Sequence, residues 1–276
     1  CLLILIGIFC NGSRCQLCIG RLHGNLLQRQ RGLGLLVTGL SKKQGIIGRF
    51  HTVGDGFLLI LFGLAQLLLY AVTDRAWTGK MSLYEQTEAA LKGGATMVQL
   101  REKGLRDDNV EEYLEEAKKM RALTEKYNVP LLIDDNIKLA KACGADGVHV
   151  GQNDMDAGLA RQLLGPDKIL GVTAKTVEQA LKAQSQGADY LGSGAVFGTS
   201  TKKDARPMTM EQLQAICASV SIPVVAIGGI CLDNIEKLKG SGAVGAAIVS
   251  GIFAAQDIEA TTRELREKME RNLLEK

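Results

Sequence analysis

Gly144-Ala145-Asp146-Gly147-Val148-His149-Val150-Gly151 reads as the end of a helix, a tight turn and a short strand. Glycine supplies the left-handed residue that stops a helix, and alanine permits a tight turn into the next strand. The same punctuation recurs at Gly94-Ala95-Thr96, Gly187-Ala188-Asp189 and Gly242-Ala243-Val244, each time after an amphipathic stretch and before an apolar run. Four copies of one connector imply one repeated unit.

Working outward, the apolar runs are Leu67 to Thr73, Thr96 to Leu100, Val129 to Ile133, Gly147 to Val150, Ile169 to Val172, Tyr190 to Leu191, Pro223 to Ile227 and Val244 to Val249. Runs apolar on both faces suit parallel strands covered by helices. Between them lie helical patterns such as Tyr113, Leu114, Ala117, Met120 and Leu123, whose spacing repeats on one helical face. Eight strands alternating with helices over residues 67–276 predict an α/β fold of the (β/α)8 TIM-barrel class. A doubly wound open sheet is the alternative, but no G-x-G-x-x-G opens the first helix.

The composition changes near residue 66. Of the 33 basic and 30 acidic residues, residues 1–66 hold seven basic and one acidic, Asp55. The net +3 therefore divides into +6 before the repeat and −3 within it. All four prolines and every methionine lie after residue 66, while 12 of the 32 glycines lie before it. Residues 1–66 are expected to be an atypical N-terminal extension, either disordered or upstream sequence carried into a gene model, and 67–276 the barrel. Because the extension carries the excess of basic charge, that excess implies neither a nucleic-acid nor a membrane partner.

Gly56 to Thr73 is uncharged and interrupted only by Gln66. Read whole, it is a membrane-span candidate; read as split, it gives its last seven residues to the first strand and leaves too few to cross. The barrel's need for that strand favours the split, and no membrane association is expected. A secretory signal would place its positive charges before the apolar run, whereas here the run comes first.

An apolar content of 46% with 23% charged residues excludes wholesale disorder, collagen and polytopic membrane architectures. Aromatics at 4% argue against a stacking platform for single-stranded nucleic acid. Cys143, Cys217 and Cys231 stand alone in apolar stretches as buried, reduced thiols. Cys15 and Cys18 with His23 have zinc-like spacing, but one pair without a second does not close a tetrahedral site.

In such a barrel the reacting groups follow the strands, all on one face. After the second strand comes Gln99-Leu100-Arg101-Glu102-Lys103, where alternation turns Gln99, Arg101 and Lys103 to one side as an oxyanion or phosphate clamp. After the third comes Asp134-Asp135-Asn136, and after the fourth His149-Val150-Gly151-Gln152-Asn153-Asp154. Two carboxylates on adjacent strand ends suit a general acid and base or a shared hard cation. The nearby cations favour magnesium, which commonly takes one or two carboxylates plus phosphate oxygens. Asp134 and Asp154 are alternatively helix caps. His149, flanked by valines, is read as facing the barrel interior rather than a metal. Gly192 to Asp204 combines glycines, hydroxyls and adjacent lysines as an anion-binding loop. The last two strands end in Gly228-Gly229 and Ser250-Gly251, each expected to open a helix whose amides hold a phosphate. Two phosphorylated substrates account for a metal, a cationic clamp and a separate phosphate cradle.

These residues resemble the thiamine-phosphate synthase family from Leu67 to about Arg271. The resemblance rests on Tyr70-Ala71-Val72-Thr73-Asp74, Gln99-x-Arg101-Glu102-Lys103, Asp134-Asp135, Gly147-Val148-His149-Val150-Gly151-Gln152-x-Asp154, Gly171-Val172-Thr173, Thr199-x-Thr201-Lys202 and Ala226-Ile227-Gly228-Gly229-Ile230, taken in order and spacing.

The resemblance implies a magnesium-dependent, cytoplasmic transferase that joins a hydroxymethylpyrimidine diphosphate to a thiazole phosphate, or its carboxylated form, and releases pyrophosphate. It implies that Gln99, Leu100, Arg101, Glu102, Lys103, Asp134, Thr173 and Lys202 hold the pyrimidine diphosphate. It implies that Asp135 and Asp154 hold the magnesium, and that Thr199, Ser200, Thr201, Gly229, Val249 and Ser250 hold the thiazole phosphate. Arg101, Lys103, Thr173 and Lys202 would carry the catalytic electrostatics. The pyrimidine would leave as a carbocation that the thiazole nitrogen captures, with no nucleophilic side chain.

Three positions depart from the family pattern. Asp134 stands where Asn is frequent, Gly198 where Pro is frequent, and Thr173 where Ser is frequent. A thiazole tautomerase of the same superfamily needs no diphosphate clamp, so Arg101, Lys103, Asp135, Asp154 and Lys202 argue against it. A non-enzymatic phosphate-binding barrel remains the third reading, and the sequence leaves the oligomeric state open.

Overall fold

The computed structural model describes residues 4–11, 14–21, 46–53, 56–79, 81–102, 110–198 and 207–274, and side chains among these within 65–272. Zinc-type spacing at Cys15, Cys18 and His23, and the site positions Lys103, Thr199, Ser200, Thr201 and Lys202, lie outside those side chains. The chain divides into two compact units, residues 1–41 and 42–276. In the first, β1 (Ile4–Asn11) pairs antiparallel with β2 (Arg14–Arg21). The second begins with another antiparallel pair, β3 (Ile46–Val53) with β4 (Gly56–Gly63), and the short helix α1 (Leu64–Leu67).

Eight parallel strands then close on themselves: β5 (Leu69–Val72), β6 (Met97–Leu100), β7 (Leu131–Asp134), β8 (Gly147–Val150), β9 (Ile169–Thr173), β10 (Tyr190–Gly194), β11 (Val224–Ile227) and β12 (Gly245–Ile248). Each pairs with the next, and β12 returns to β5 with Ala246 opposite Leu69 and Ile248 opposite Ala71. Closure rules out the open sheet. The helices are α2 (Leu83–Lys92), α3 (Val110–Lys126), α4 (Ile137–Cys143), α5 (Ala157–Leu164), α6 (Val177–Ser185), α7 (Met210–Ser219), α8 (Ser250–Phe253) and α9 (Ile258–Leu274). As its spacing predicts, α3 buries Tyr113, Ala117, Met120 and Leu123. Gly56 to Thr73 is split among β4, α1 and β5, and no helix among the described residues is long and apolar enough to cross a membrane.

All four connector glycines have positive φ: Gly94 at 100°, Gly144 at 72°, Gly187 at 92° and Gly242 at 84°. The amides of Ala95, Ala145 and Ala188 then donate five residues back, to the carbonyls of Ala90, Ala140 and Ala183, the bond that closes a helix in this motif. The third residue adds a latch. Thr96 Oγ1, Asp146 Oδ2 and Asp189 Oδ2 each accept, at 2.8 Å, from an amide at the start of the preceding strand, at Leu69, Leu131 and Leu170. Arg121 and Arg161 neutralise the two aspartates. Val244, lacking an acceptor, makes no such bond.

The pleat alternates two cores. Leu69, Ala71, Val98, Leu100, Leu131, Ile133, Val148 and Val150 face the helices, whereas Tyr70, Val72, Met97, Leu132, Tyr190, Val225 and Ala247 fill the barrel.

Four expectations need correction. Strand β10 runs to Gly194 instead of stopping at Leu191, because its end is built from small residues: a Cβ on Gly194 would collide with the Ile227 carbonyl. Gly228-Gly229 opens no α-helix; a turn capped by Asn234, whose side chain bonds Cys231 N and Gly229 O, leads into a short 3-10 helix at Ile235–Leu238. Asp134 and Asp154 cap nothing, since Asn136 and Asp156 two residues later cap α4 and α5. Cys143 and Cys217 are buried free thiols, but Cys231 is only half-buried.

Candidate active site

Beyond the apolar layer, the inward positions of the strands turn polar. Gln99, Asp134, His149 and Thr173 continue the inner register of β6 to β9, and with Tyr70 and Arg101 they line a cavity at the C-terminal end of the barrel. Its enclosed volume is about 150 Å³, and it opens to solvent at the mouth of the barrel.

The floor is a buried chain of hydrogen bonds. Gln99 Nε2 donates to Tyr70 Oη at 2.6 Å, and Tyr190 Oη donates to the same oxygen at 3.0 Å. His149 lies between Tyr190 Oη, 2.9 Å from Nδ1, and Thr173 Oγ1, 3.0 Å from Nε2. Burial holds both phenols far above their usual pKa, so they act as neutral hydrogen-bonding groups. Gly171 and Gly192 make room: a Cβ on Gly171 would strike Tyr190 and His149, and one on Gly192 would press on the imidazole. The expected inward orientation of His149 is thus seen, and it supports the Thr173 hydroxyl.

On one wall, Arg101 Nη1 donates to Asp74 Oδ2 at 2.6 Å, while its Nε lies 3.9 Å from Asp134 Oδ2. On another stand Asp135 and Asp154. Asp135 is a non-glycine residue in the left-handed region, φ 56°, anchored by its amide to His149 O at 2.9 Å. Such strain collects at functional positions. Asp154 folds back to accept from Gly151 N at 2.9 Å, and a Cβ at Gly151 would collide with that carboxylate. Two carboxylates and no soft donor form a set that fits magnesium, whose remaining ligands would be water and phosphate oxygens. Among the described residues no cluster of three or more metal-ligating side chains occurs.

The opposite rim is glycine. Gly228 and Gly229 have φ of 102° and 66°, and a Cβ on either would collide with Ala195 or with the carbonyl of Gly198. They line the cavity with Val249 and Ser250. Of the anticipated site residues, the cavity therefore unites Gln99, Arg101, Asp134, Asp135, Asp154, Thr173, Gly229, Val249 and Ser250. The side chains of Leu100 and Glu102 do not line it. Leu100 packs in the outer core, and Glu102 is buried against Arg75.

Tyr70, His149 and Lys175 also line the cavity, beyond the residues that the sequence pattern singles out for binding. The first two sit inside apolar runs and read as core. Lys175 directly precedes Thr176, the cap of α6, and a cation at a helix start, against the dipole, was the available signal.

The family model for thiamine monophosphate synthase matches residues 69–252. Thiamine-phosphate synthase of Clostridium botulinum is 46% identical over 203 residues, covering 74% of this chain and 94% of that protein. The enzyme of that name from Ruminiclostridium cellulolyticum is 48% identical over 199 residues, 72% and 93% of the two chains. The solved structure of thiamine phosphate pyrophosphorylase from Pyrococcus furiosus superposes with a TM-score of 0.69 at 40% identity, covering 76% of this chain and 98% of that one. With its closed barrel, a family model matching residues 69–252 and relatives nearly half identical over almost their whole length, this chain belongs to the thiamine monophosphate synthase family of transferases.

Proposed function

We propose that this barrel joins a hydroxymethylpyrimidine diphosphate to a thiazole phosphate, with magnesium, to give thiamine phosphate and pyrophosphate. The observation that carries the proposal is the convergence of Arg101, Asp135 and Asp154 with the glycine rim of Gly228, Gly229 and Ser250 on one cavity. A cation and two carboxylates suit a metal-bound diphosphate; the glycine rim leaves space for a second phosphate close to the backbone.

Magnesium, held by Asp135 and Asp154, would supply Lewis-acid stabilisation of the charge on the departing pyrophosphate. Arg101 would hold that group by charge-assisted hydrogen bonds, joined by Lys103 and Lys202 as the family resemblance implies. Thr173, backed by His149, would orient a diphosphate oxygen. Gln99 and Asp134 would hold the pyrimidine, Asp134 accepting from its exocyclic amine. The buried floor of Tyr70, Tyr190 and His149 would keep the reacting carbon away from bulk water. The thiazole phosphate would rest on Gly229, Val249 and Ser250 with the residues 199–201, presenting its ring nitrogen to the carbon that loses pyrophosphate. No side-chain nucleophile is required. A thiazole tautomerase has no use for Arg101 fixed at the cavity wall, which favours the synthase.

The catalytic unit in this proposal is residues 67–276, acting in the cytoplasm on soluble phosphorylated substrates. Pyrophosphate release, assayed with each substrate and magnesium omitted in turn, tests it.

A further inference from the structure

Two consecutive residues after β5, Asp74 and Arg75, face two consecutive residues after β6, Arg101 and Glu102, with the charges exchanged. Arg101 pairs with Asp74 at 2.6 Å, and Arg75 pairs with Glu102. Backbone bonds draw the two loops together beneath these pairs: Thr73 N donates to Gln99 O, and Arg101 N to Thr73 Oγ1, both at 3.0 Å. The Asp74 carboxylate is itself fixed, because its Oδ1 accepts from Ala76 N at 2.9 Å and so caps the short helix Arg75–Trp77. Its Oδ2 is thereby aimed at the guanidinium. Both partners are mostly shielded from solvent, at 15% and 16% side-chain exposure, so water screens the pair only partly. On its other side, Arg101 Nε has Asp134 Oδ2 at 3.9 Å.

We infer that Asp74 is a positioning residue that holds the Arg101 guanidinium against the cavity wall, ready for a diphosphate. The inference rests on the diphosphate-binding function proposed for this cavity. Asp74 occupies one edge of the planar fork and leaves the rest for an anion. Among the described residues, the carboxylate next in reach of Arg101 after Asp74 is Asp134. A swing toward Asp134 would cost the diphosphate its clamp and engage the carboxylate assigned to the pyrimidine. The crossed partner pair, Arg75 with Glu102, keeps the second loop in register and stays outside the cavity.

The test titrates magnesium pyrophosphate into the full chain by calorimetry, comparing wild type with Asp74→Ala, Asp74→Asn, Arg101→Ala and the double variant Asp74→Ala/Arg101→Ala. Far-ultraviolet circular dichroism certifies each fold. Asp74→Ala should weaken binding by about tenfold or more, as expected for a charge-assisted contact. Asp74→Asn, which keeps one acceptor oxygen but loses the charge and the second acceptor, should recover at most part of the loss. The double variant should bind no more weakly than Arg101→Ala alone, because a residue acting only through Arg101 has nothing left to position. In turnover, Asp74→Asn should raise the KM for the diphosphate substrate and leave that for the thiazole phosphate unchanged. Wild-type affinity in Asp74→Ala, additive losses in the double variant, or absence of pyrophosphate binding by wild type would each overturn the inference. Wild type that binds pyrophosphate but does not couple the two substrates would refute the synthase reading and leave Asp74 in place.

Discussion

The hydroxyls of Tyr70 and Tyr190, from strands β5 and β10, meet 3.0 Å apart inside the barrel, with the rings edge to face at 74°. This contact ties the apolar core to the polar floor of the site, because the same two oxygens also engage Gln99 and His149. Tyr190 fits across the interior only because Gly171 faces it. Gly171→Ala is therefore expected to destabilise the barrel by about 1–3 kcal/mol through overpacking. In urea, the unfolding midpoint should fall at unchanged slope.

Glu102 should give stability a pH dependence of opposite sign to that of most carboxylates. Burial raises its pKa from 4.5 to about 7, against the opposing pull of Arg75. The folded state thus binds this proton more tightly than the unfolded state. Its stabilising contribution is complete below about pH 4.5 and is lost as the pH rises to about 7. Denaturant unfolding of Glu102→Gln across that window should show the wild-type decline reduced; an identical decline would sink the assignment.

The opposite end of the barrel should govern stability without touching chemistry. Asp189 accepts from Leu170 N at 2.8 Å and from Arg161 Nη2 at 2.5 Å, where the strands begin. Asp189→Ala would leave Leu170 N without this acceptor and Arg161 without its counter-charge, at a cost of about 2–4 kcal/mol. Turnover well below the melting temperature should stay at the wild-type level, and a large fall in turnover at constant fold would refute this division of labour.

The repeated Gly-Ala connector was legible because helix termination by glycine is local chemistry, and the same backbone state recurs at Gly94, Gly144, Gly187 and Gly242. The inward register of Gln99 and Arg101 was legible from alternation. The same alternation turns Leu100 and Glu102 away from the cavity. Other features depend on partners distant in sequence. Tyr70 and His149 look like core residues until Gln99, Tyr190 and Thr173 are found around them. Asp74 looks like a turn residue until β6 brings Arg101 beside it. Spacing alone did not tell Asp134 from Asn136, or Asp154 from Asp156, as the cap; helix position decided that. Strand β10 was underestimated because its end is made of Gly192, Ser193 and Gly194, whose small size answers to neighbours rather than to strand propensity.

In the proposed function, Asp135 and Asp154 would hold the cation that drives pyrophosphate departure from this cavity. The most direct measurement is pyrophosphate release by purified wild type and Asp135→Ala, each given both substrates across a magnesium titration. Wild type should show saturable, magnesium-dependent release, and the folded variant only background release. Wild-type release by Asp135→Ala would contradict that assignment.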